Sequence, residues 1–532
     1  GKDGAVGAAG PQGEQGVAGQ NGVANYVTAE DVVNTNAQHA YAVFADSLIA
    51  AKAMQKAIDE FVAVPTEANF TAAKQAWLFA REPYGQTEVY RFREGPIDAL
   101  TEVDGQPALV DGEGPEGAIN AWPLAEALID YTIDMDGHQA RGTAAVYQAG
   151  GNIISDQENF PEITKQLLQD KFELDGEEAN VTSGYHAIEF LLWGQDLNQD
   201  LTYTSTRDYT AGHRKASDFY TVNNMPTDSN GATCTSGEQG TIDAICARRG
   251  QYLKVAAELL VDDLQAVTEA WTPGTGFHYL EYVKPENAKK NLGAMLESMG
   301  RLSFGELAGE RMSIAVRTDS QEDEHSCFSD NTHRDIYLNA KGVQNHYLGK
   351  YTRINGEELV GASIHDLLVK EGKPELANEL RAAFETSMAS ASVIDTNAKL
   401  GVSFDVQIQN EDRKKEVFAT ISALATQTDL IQKAIDELGV SAEDFYNTDI
   451  FGIVPMGFCY PGKGKSGDKP PRKECTPKWH QQLFDLMPNL EMIVLIGMYA
   501  QNYYLKDKAK RTLTDTVDNY PEYLPKYFTL PH

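Results

Sequence analysis

AYAVFADSLIAAKAMQKAIDEF, residues 40–61, sets apolar side chains at positions 44, 48, 51, 54, 58 and 61, in steps of three and four. That is the period of an amphipathic helix. Pro65 ends it, and EANFTAAKQAWLFAREPY (67–84) begins the next. The same period returns in QYLKVAAELLVDDLQAVTEAW (251–271), in KKNLGAMLESMGRLSFGEL (289–307), and at 417, 421, 424, 431 and 435. A last long helix is expected over 480–505. Strand-like alternation is confined to short pieces such as VSFDVQI (402–408). The reading is an all-α protein.

Around these helices lie three polar segments, 94–119, 196–240 and 455–478, which read as surface excursions from a bundle. The helical part divides into two halves of similar pattern, 26–280 and 281–532, with the boundary at the Gly/Pro-rich WTPGTGFHYL. Each half carries a helical hairpin, an acid- and histidine-bearing segment and a long amphipathic helix. Residues 1–22 repeat Gly at every third position, the pattern of a collagen triple helix, with Pro11 as their one imino acid. So few triplets make a weak triple helix, and a spacer is the expected role.

With 45 Lys and Arg against 78 Asp and Glu, the net charge is −33. Such a field repels nucleic acid and anionic membrane surfaces and favours cations as partners. The longest apolar run, 492–500, is too short to span a bilayer. The chain carries neither a signal peptide nor an initiator Met, which reads as a mature or trimmed product. Of five cysteines, Cys234 with Cys246 and Cys459 with Cys475 enclose short polar loops, so two disulfides and an oxidising compartment are expected. Cys327 is left as a free thiol.

Two stretches carry candidate chemistry. In GYHAIEFLLWGQDL (184–197), His186 and Glu189 are three apart and share a helix face, amid Ile188, Leu191, Leu192 and Trp193. They read either as half of a metal site or as a core histidine bonded to its neighbouring acid. RTDSQEDEHSCFSDNTHRDI (317–336) holds Glu322 and His325, the same residue types at the same spacing in reverse order. Related by a pseudo-two-fold axis, the two pairs would face one another across a cleft, as in helical bundles that bind iron or manganese. The alternative is a polar loop with solvated carboxylates. Asp323, Glu324, Asp330 and His333 add donors to this segment. There is no HExxH, no GxSxG, and GKGKS (462–466) lacks the first glycine of a phosphate loop. Trp77 and Arg81, i and i+4 neighbours, suit either a shell around the site or a plain helix end before Pro83.

Gly184, His186 and Glu189 as G-x-H-x-x-E, together with AWLFAREPYGQTEVYRFREGPID (76–98), GELAGERM (305–312) and EDEHSCFSDNTHRDI (322–336), resemble the imelysin-like family and its iron-regulated branch. The resemblance runs from about residue 30 to the C-terminus. It implies two related four-helix-bundle-like halves with a cleft between them, and a periplasmic or cell-surface protein, often a lipoprotein anchored through a removed N-terminal segment. Its implied role is iron uptake or homeostasis, with the metal ion or metal chelate as ligand and a membrane transport component as partner. The expected metal ligands are His186, Glu189, Glu322 and His325. Arg81, Trp77, Trp193, Asp323 and Glu324 would form the surrounding shell or cleft. Iron is the expected metal, with zinc or manganese as alternatives. The competing readings are a metal-dependent peptidase of the imelysin type, with Glu189 or Glu324 as base, and an adhesion module on the collagen-like stalk.

Overall fold

The protein is described by a computed structural model, which covers residues 26–132, 152–198, 207–208, 210–227, 229, 234, 242–440, 454–457, 472–487, 490, 492–524 and 526–530. The Gly-X-Y tract and Cys459 lie outside these residues. The chain divides into two compact units, Gly1–Ala442 and Glu443–His532.

Helices dominate the first unit. The principal ones are α1 (Ala29–Ala63), α2 (Glu67–Thr87), α3 (Gly184–Trp193), α4 (Ile242–Ala270), α5 (Ala288–Gly300), α6 (Thr332–Leu348), α7 (Pro374–Lys399), α8 (Phe404–Gln409) and α9 (Glu411–Leu438). Thr28 starts α1 with a capping box: its hydroxyl accepts from the Asp31 N–H, and its own N–H donates to the Asp31 carboxylate. Phe44, Ala51, Met54, Ile58 and Phe61 are fully buried and Leu48 half-buried, as the three-and-four spacing requires. Each large apolar side chain buried in this way contributes about 1.5–3 kcal/mol of transfer free energy. α1 packs along α2 and α4, α6 along α2 and α7, and α7 along α9. Helices from both sides of residue 280 share one apolar core, in which Phe44, Trp77 and Leu264 belong with Leu296, Tyr347 and Phe384.

Several local expectations are corrected. α2 does not stop before Pro83 but continues through it to Thr87, so Arg81 lies inside the helix. VSFDVQI is no strand. Ser403 begins α8 there, and Phe404 and Ile408, four apart, both turn into the core. α5 runs on into a π-helical stretch, Arg301–Ile314. Strands form only small two-stranded pieces among the described residues: β1 (Leu100–Val103) with β2 (Gln106–Leu109), and β3 (Lys350–Thr352) with β4 (Glu358–Val360), both antiparallel.

In the second unit the expected single helix over 480–505 is broken. α10 (Cys475–Asp485) and α11 (Gly497–Leu505) flank β5 (Ile493–Ile496), which pairs in parallel with β6 (Tyr527–Leu530). The Ile-Val-Leu-Ile run, with three β-branched residues of four, suits a strand. Gly497, at φ +74°, turns the chain from strand to helix. Leu495, Ala500, Leu505 and Tyr523 form this unit's small core.

Cys234 and Cys246 form the expected disulfide. Of the second expected bond, Cys459 to Cys475, Cys459 lies outside the described residues, and Cys475 opens the first turn of α10. Among the described residues, no helix is long and apolar enough to cross a membrane.

Candidate metal centre

α3 is buried along its whole length, which is why its residues read as core. Its first residue, Gly184, has φ +86° and lies against the backbone of a short helix, Glu116–Asn120. The Ser183 hydroxyl donates to the Ala118 carbonyl at 3.0 Å, fixing the same contact. On α2, Trp77 Nε1 donates to the Tyr185 carbonyl at 2.9 Å, and its ring stands 5.3 Å from that of Trp193. The helix that carries His186 is therefore held at both ends.

His186 Nδ1 and Glu189 Oε2 are 2.8 Å apart, both side chains fully buried. The other Glu189 oxygen accepts from the Ser329 N–H at 3.0 Å and the Ser329 hydroxyl at 2.6 Å. The His325 ring lies 4.6 Å from that of His186, edge to face at 81°. His325 makes the mirror arrangement: its Nδ1 is 2.8 Å from Asp335 Oδ2 on α6. The other Asp335 oxygen accepts from Arg81 Nη2 at 2.9 Å, while Arg81 Nη1 donates to Asn120 Oδ1 at 2.6 Å. Two imidazoles thus meet, each with its Nδ1 on a carboxylate. That pattern orients histidine rings at metal sites.

Burial comes first among the causes that hold His186 well below the usual histidine range, and the nearby His325 and Arg81 add to it. Burial likewise lowers His325, helped by Arg311 and opposed by Asp335. Both rings are neutral at pH 7, as a metal ligand must be. Burial raises the Glu189 carboxyl to about 8, against the pull of the Ser329 hydrogen bonds. The His186–Glu189 contact is therefore a neutral hydrogen bond, not an ion pair. Burial pushes Asp335 upward too, but Arg81 and His325 outweigh it and hold the group well below the usual carboxylate range. His186 Nε2 is buried and has no hydrogen-bond partner. Buried polar atoms are nearly always paired, so such an atom needs an explanation.

The expected residues therefore separate. His186, Glu189 and His325 come together, Arg81 reaches them through Asp335, Trp77 holds the Tyr185 carbonyl, and Trp193 lies against Trp77 at the far end of α3. Glu322 does not join this group. Its charge is felt by Asp196 and Cys327, and among the described residues the only three ligand-bearing groups with atoms within 4.8 Å of one another are Asp196, Asp330 and Asp405. An i, i+3 pairing of Glu322 with His325 needs a helix, whereas Gln321–Asp323 is one 3-10 turn, followed by an extended Glu324. Asp323 accepts from the Thr318 hydroxyl at 3.1 Å. His333 lies 3.7 Å from Asp395. The Cys327 thiol is buried and pushed well up by burial, which leaves it protonated and inert. Asp335, Ser329 and Asn120 were not singled out from sequence. Asp335 sits ten residues beyond His325 on a separate helix, and Asn120 has no spacing signal at all.

The fold and this centre define an all-α protein built around a buried histidine pair backed by carboxylates. The chain belongs to the Imelysin family, whose model matches residues 39–431. A model of the uracil DNA glycosylase superfamily matches the shorter stretch 407–532. The "Iron-regulated protein A" of Synechococcus elongatus is 35% identical over 71 residues, an alignment that spans 13% of this chain and 16% of that relative. Among solved structures, a putative iron-regulated protein A precursor from Parabacteroides distasonis is similar at 15% identity and TM-score 0.49, over 76% of this chain and 94% of its own. An imelysin-like protein from Psychrobacter arcticum is similar at 13% identity and TM-score 0.46, over 79% and 99%.

Proposed function

We propose that this chain is an iron-handling protein of the periplasm or cell surface, which takes up a transition-metal ion or its chelate at His186 Nε2 and His325. The observation that carries the reading is the orphaned, buried Nε2 of a neutral His186 whose ring lies 4.6 Å from a second neutral imidazole. The donor set fits such a metal: imidazole suits iron, zinc and manganese alike, and Glu189 and Asp335 fix the two rings. Glu322, expected as a fourth ligand, is left out of this set. The iron link is supported by the relative's printed name, and the outer compartment by the Cys234–Cys246 disulfide. Lipoprotein anchoring and a membrane transport partner belong to the same proposal. A metal-dependent peptidase is the second reading, favoured by the family's description as a peptidase.

Protein purified without chelator is expected to carry about one equivalent of iron or zinc by elemental analysis. His186→Ala and His325→Ala should each lower that affinity by roughly 100-fold or more, since even the loss of a ligand's supporting group costs 10–100-fold. Full metal content in both variants would remove the proposed ligands. Peptide hydrolysis that chelation abolishes would move the reading to the peptidase.

The pair also sets a pH dependence. Below about 8, Glu189 keeps its proton and donates to Nδ1, so Nε2 carries the ring hydrogen. Ionised Glu189 accepts from Nδ1–H instead and frees the Nε2 lone pair. Metal affinity should therefore rise as pH increases toward 8, with one proton released on binding. Calorimetric titration in buffers of different ionisation enthalpy reads that proton directly. In Glu189→Gln the release should vanish.

A further inference from the structure

We propose that Asp196, Asp330 and Asp405 form a second cation site, distinct from the histidine pair, which takes a hard divalent ion of the calcium type. The three residues come from different parts of the first unit. Asp196 follows the end of α3, Asp330 precedes α6 in the left-handed region at φ +59°, and Asp405 is the second residue of α8. One carboxylate oxygen of each lies within 4.8 Å of the other two.

Oxygens held within that limit leave room for an ion of calcium's size. Calcium binds oxygen at about 2.3–2.6 Å, so its ligand atoms stand up to about 5 Å apart across the ion. Magnesium, at about 2.0–2.1 Å, would need them within about 4.2 Å. Oxygen-only donors also exclude a preference for the softer metals that imidazole attracts.

A fourth carboxylate points to a ligand independently of the trio. Glu324 is 1% exposed, and neither of its oxygens meets a donor in hydrogen-bonding geometry. The charges that act on it most are those of Asp405 and Asp330, and the Thr332 hydroxyl stands beside it. Asp208 adds its charge to Asp330 and Asp405. Against these acids stands Arg207, which donates to the backbone carbonyls of Asp405 and Asp319 and whose charge pulls Asp405 and Glu324 downward. Gln321 Nε2 donates to Asp196 Oδ2 at 2.9 Å, and the Ser403 hydroxyl to Asp405. These neutral donors and one arginine leave several negative charges packed without compensation, an arrangement a divalent cation relieves. Burial and mutual repulsion push Asp196, Asp330, Asp405 and Glu324 all upward, in line with a site built for an ion.

The ion would do structural work for the histidine pair. Glu324 precedes His325, and Asp330 follows Ser329, the donor to Glu189. A cation on one side of the 321–331 segment therefore fixes the residues that present His325 and Ser329 on the other.

The full chain, stripped with EGTA, is expected to melt higher in millimolar CaCl2 than in equal MgCl2. It should also bind one Tb3+ with luminescence sensitised by its aromatic residues. Asp405→Asn and Asp196→Asn should weaken Tb3+ and Ca2+ binding by ~100-fold, while His186→Ala keeps Ca2+ binding and loses iron or zinc. Failure of the histidine centre would instead leave the Ca2+ response intact with no iron bound, so the two readings fail separately. An unchanged melting temperature in CaCl2, or Tb3+ binding unaffected by Asp405→Asn, overturns the site. Should a variant not fold, the wild-type comparison of CaCl2 with MgCl2 decides alone.

Discussion

Asp335→Ala is expected to destabilise the chain by about 3–5 kcal/mol, the usual cost of removing one partner from a buried ion pair. Asp335 and Arg81 are both fully buried and 2.9 Å apart. Arg81 is surrounded by the rings of Trp77, Tyr84 and Tyr185, with centroids 4.9–5.7 Å away. Without the carboxylate, the guanidinium keeps the Asn120 oxygen, those ring faces and the Glu88 charge, with which it makes no hydrogen bond, too little to replace solvent. The same substitution frees His325 Nδ1 and the Ser326 hydroxyl, which also donates to Asp335. Urea denaturation at pH 7 measures the loss, and a change under about 1 kcal/mol would show that Arg81 is paid for elsewhere. A double variant, Arg81→Met with Asp335→Leu, separates stability from function. Apolar replacement of a buried pair is often neutral, so much of the stability should return. Metal affinity should not, because His325 has still lost its carboxylate. Asp335 also gives the fold an acid limb: its contribution is present above the ordinary carboxylate value of 3.8 and disappears as pH falls toward its depressed native value.

What was legible in the sequence follows from the range of the forces involved. The period of α1 is read directly because burial of Phe44, Met54, Ile58 and Phe61 repeats every turn. The His186–Glu189 contact is legible for the same reason: both lie on one helix, where three residues bring side chains together. That geometry does not extend to 321–324, which is not an α-helix. In Glu322-Asp323-Glu324-His325, a 3-10 turn and an extended residue decide which acid faces which side, and spacing alone does not reveal that. Contacts across long separations left no local trace. Asp335 reaches Arg81 across 254 residues, and Asp196, Asp330 and Asp405 converge from three segments. VSFDVQI misled because alternation over seven residues overlaps with the i, i+4 pattern of Phe404 and Ile408.

The glycine of G-x-H-x-x-E carries the other large effect, and its reason is steric rather than chemical. At Gly184 a Cβ would stand 2.5 Å from the Ile119 carbonyl oxygen and 2.6 Å from that of Ala118. Both obstacles are backbone, which yields only by moving the Glu116–Asn120 helix or the start of α3. The residue also sits at φ +86°. Gly184→Ala should therefore cost about 1–2 kcal/mol for the left-handed backbone and a further 1–3 kcal/mol for overpacking. Gly176→Ala is the control: its φ is +74°, but nothing lies within 4 Å of its added methyl group. It should bear the backbone cost alone. Equal melting temperatures for the two variants would refute the steric account. The displacement has a functional side as well. His186 is two residues from Gly184, and Asn120, which orients Arg81, ends the helix that would be pushed away. Gly184→Ala that still folds should thus lose metal affinity although it removes no donor atom, whereas Gly176→Ala should keep it. The glycine sets how closely α3 approaches its neighbour, and that approach is what puts His186 against His325.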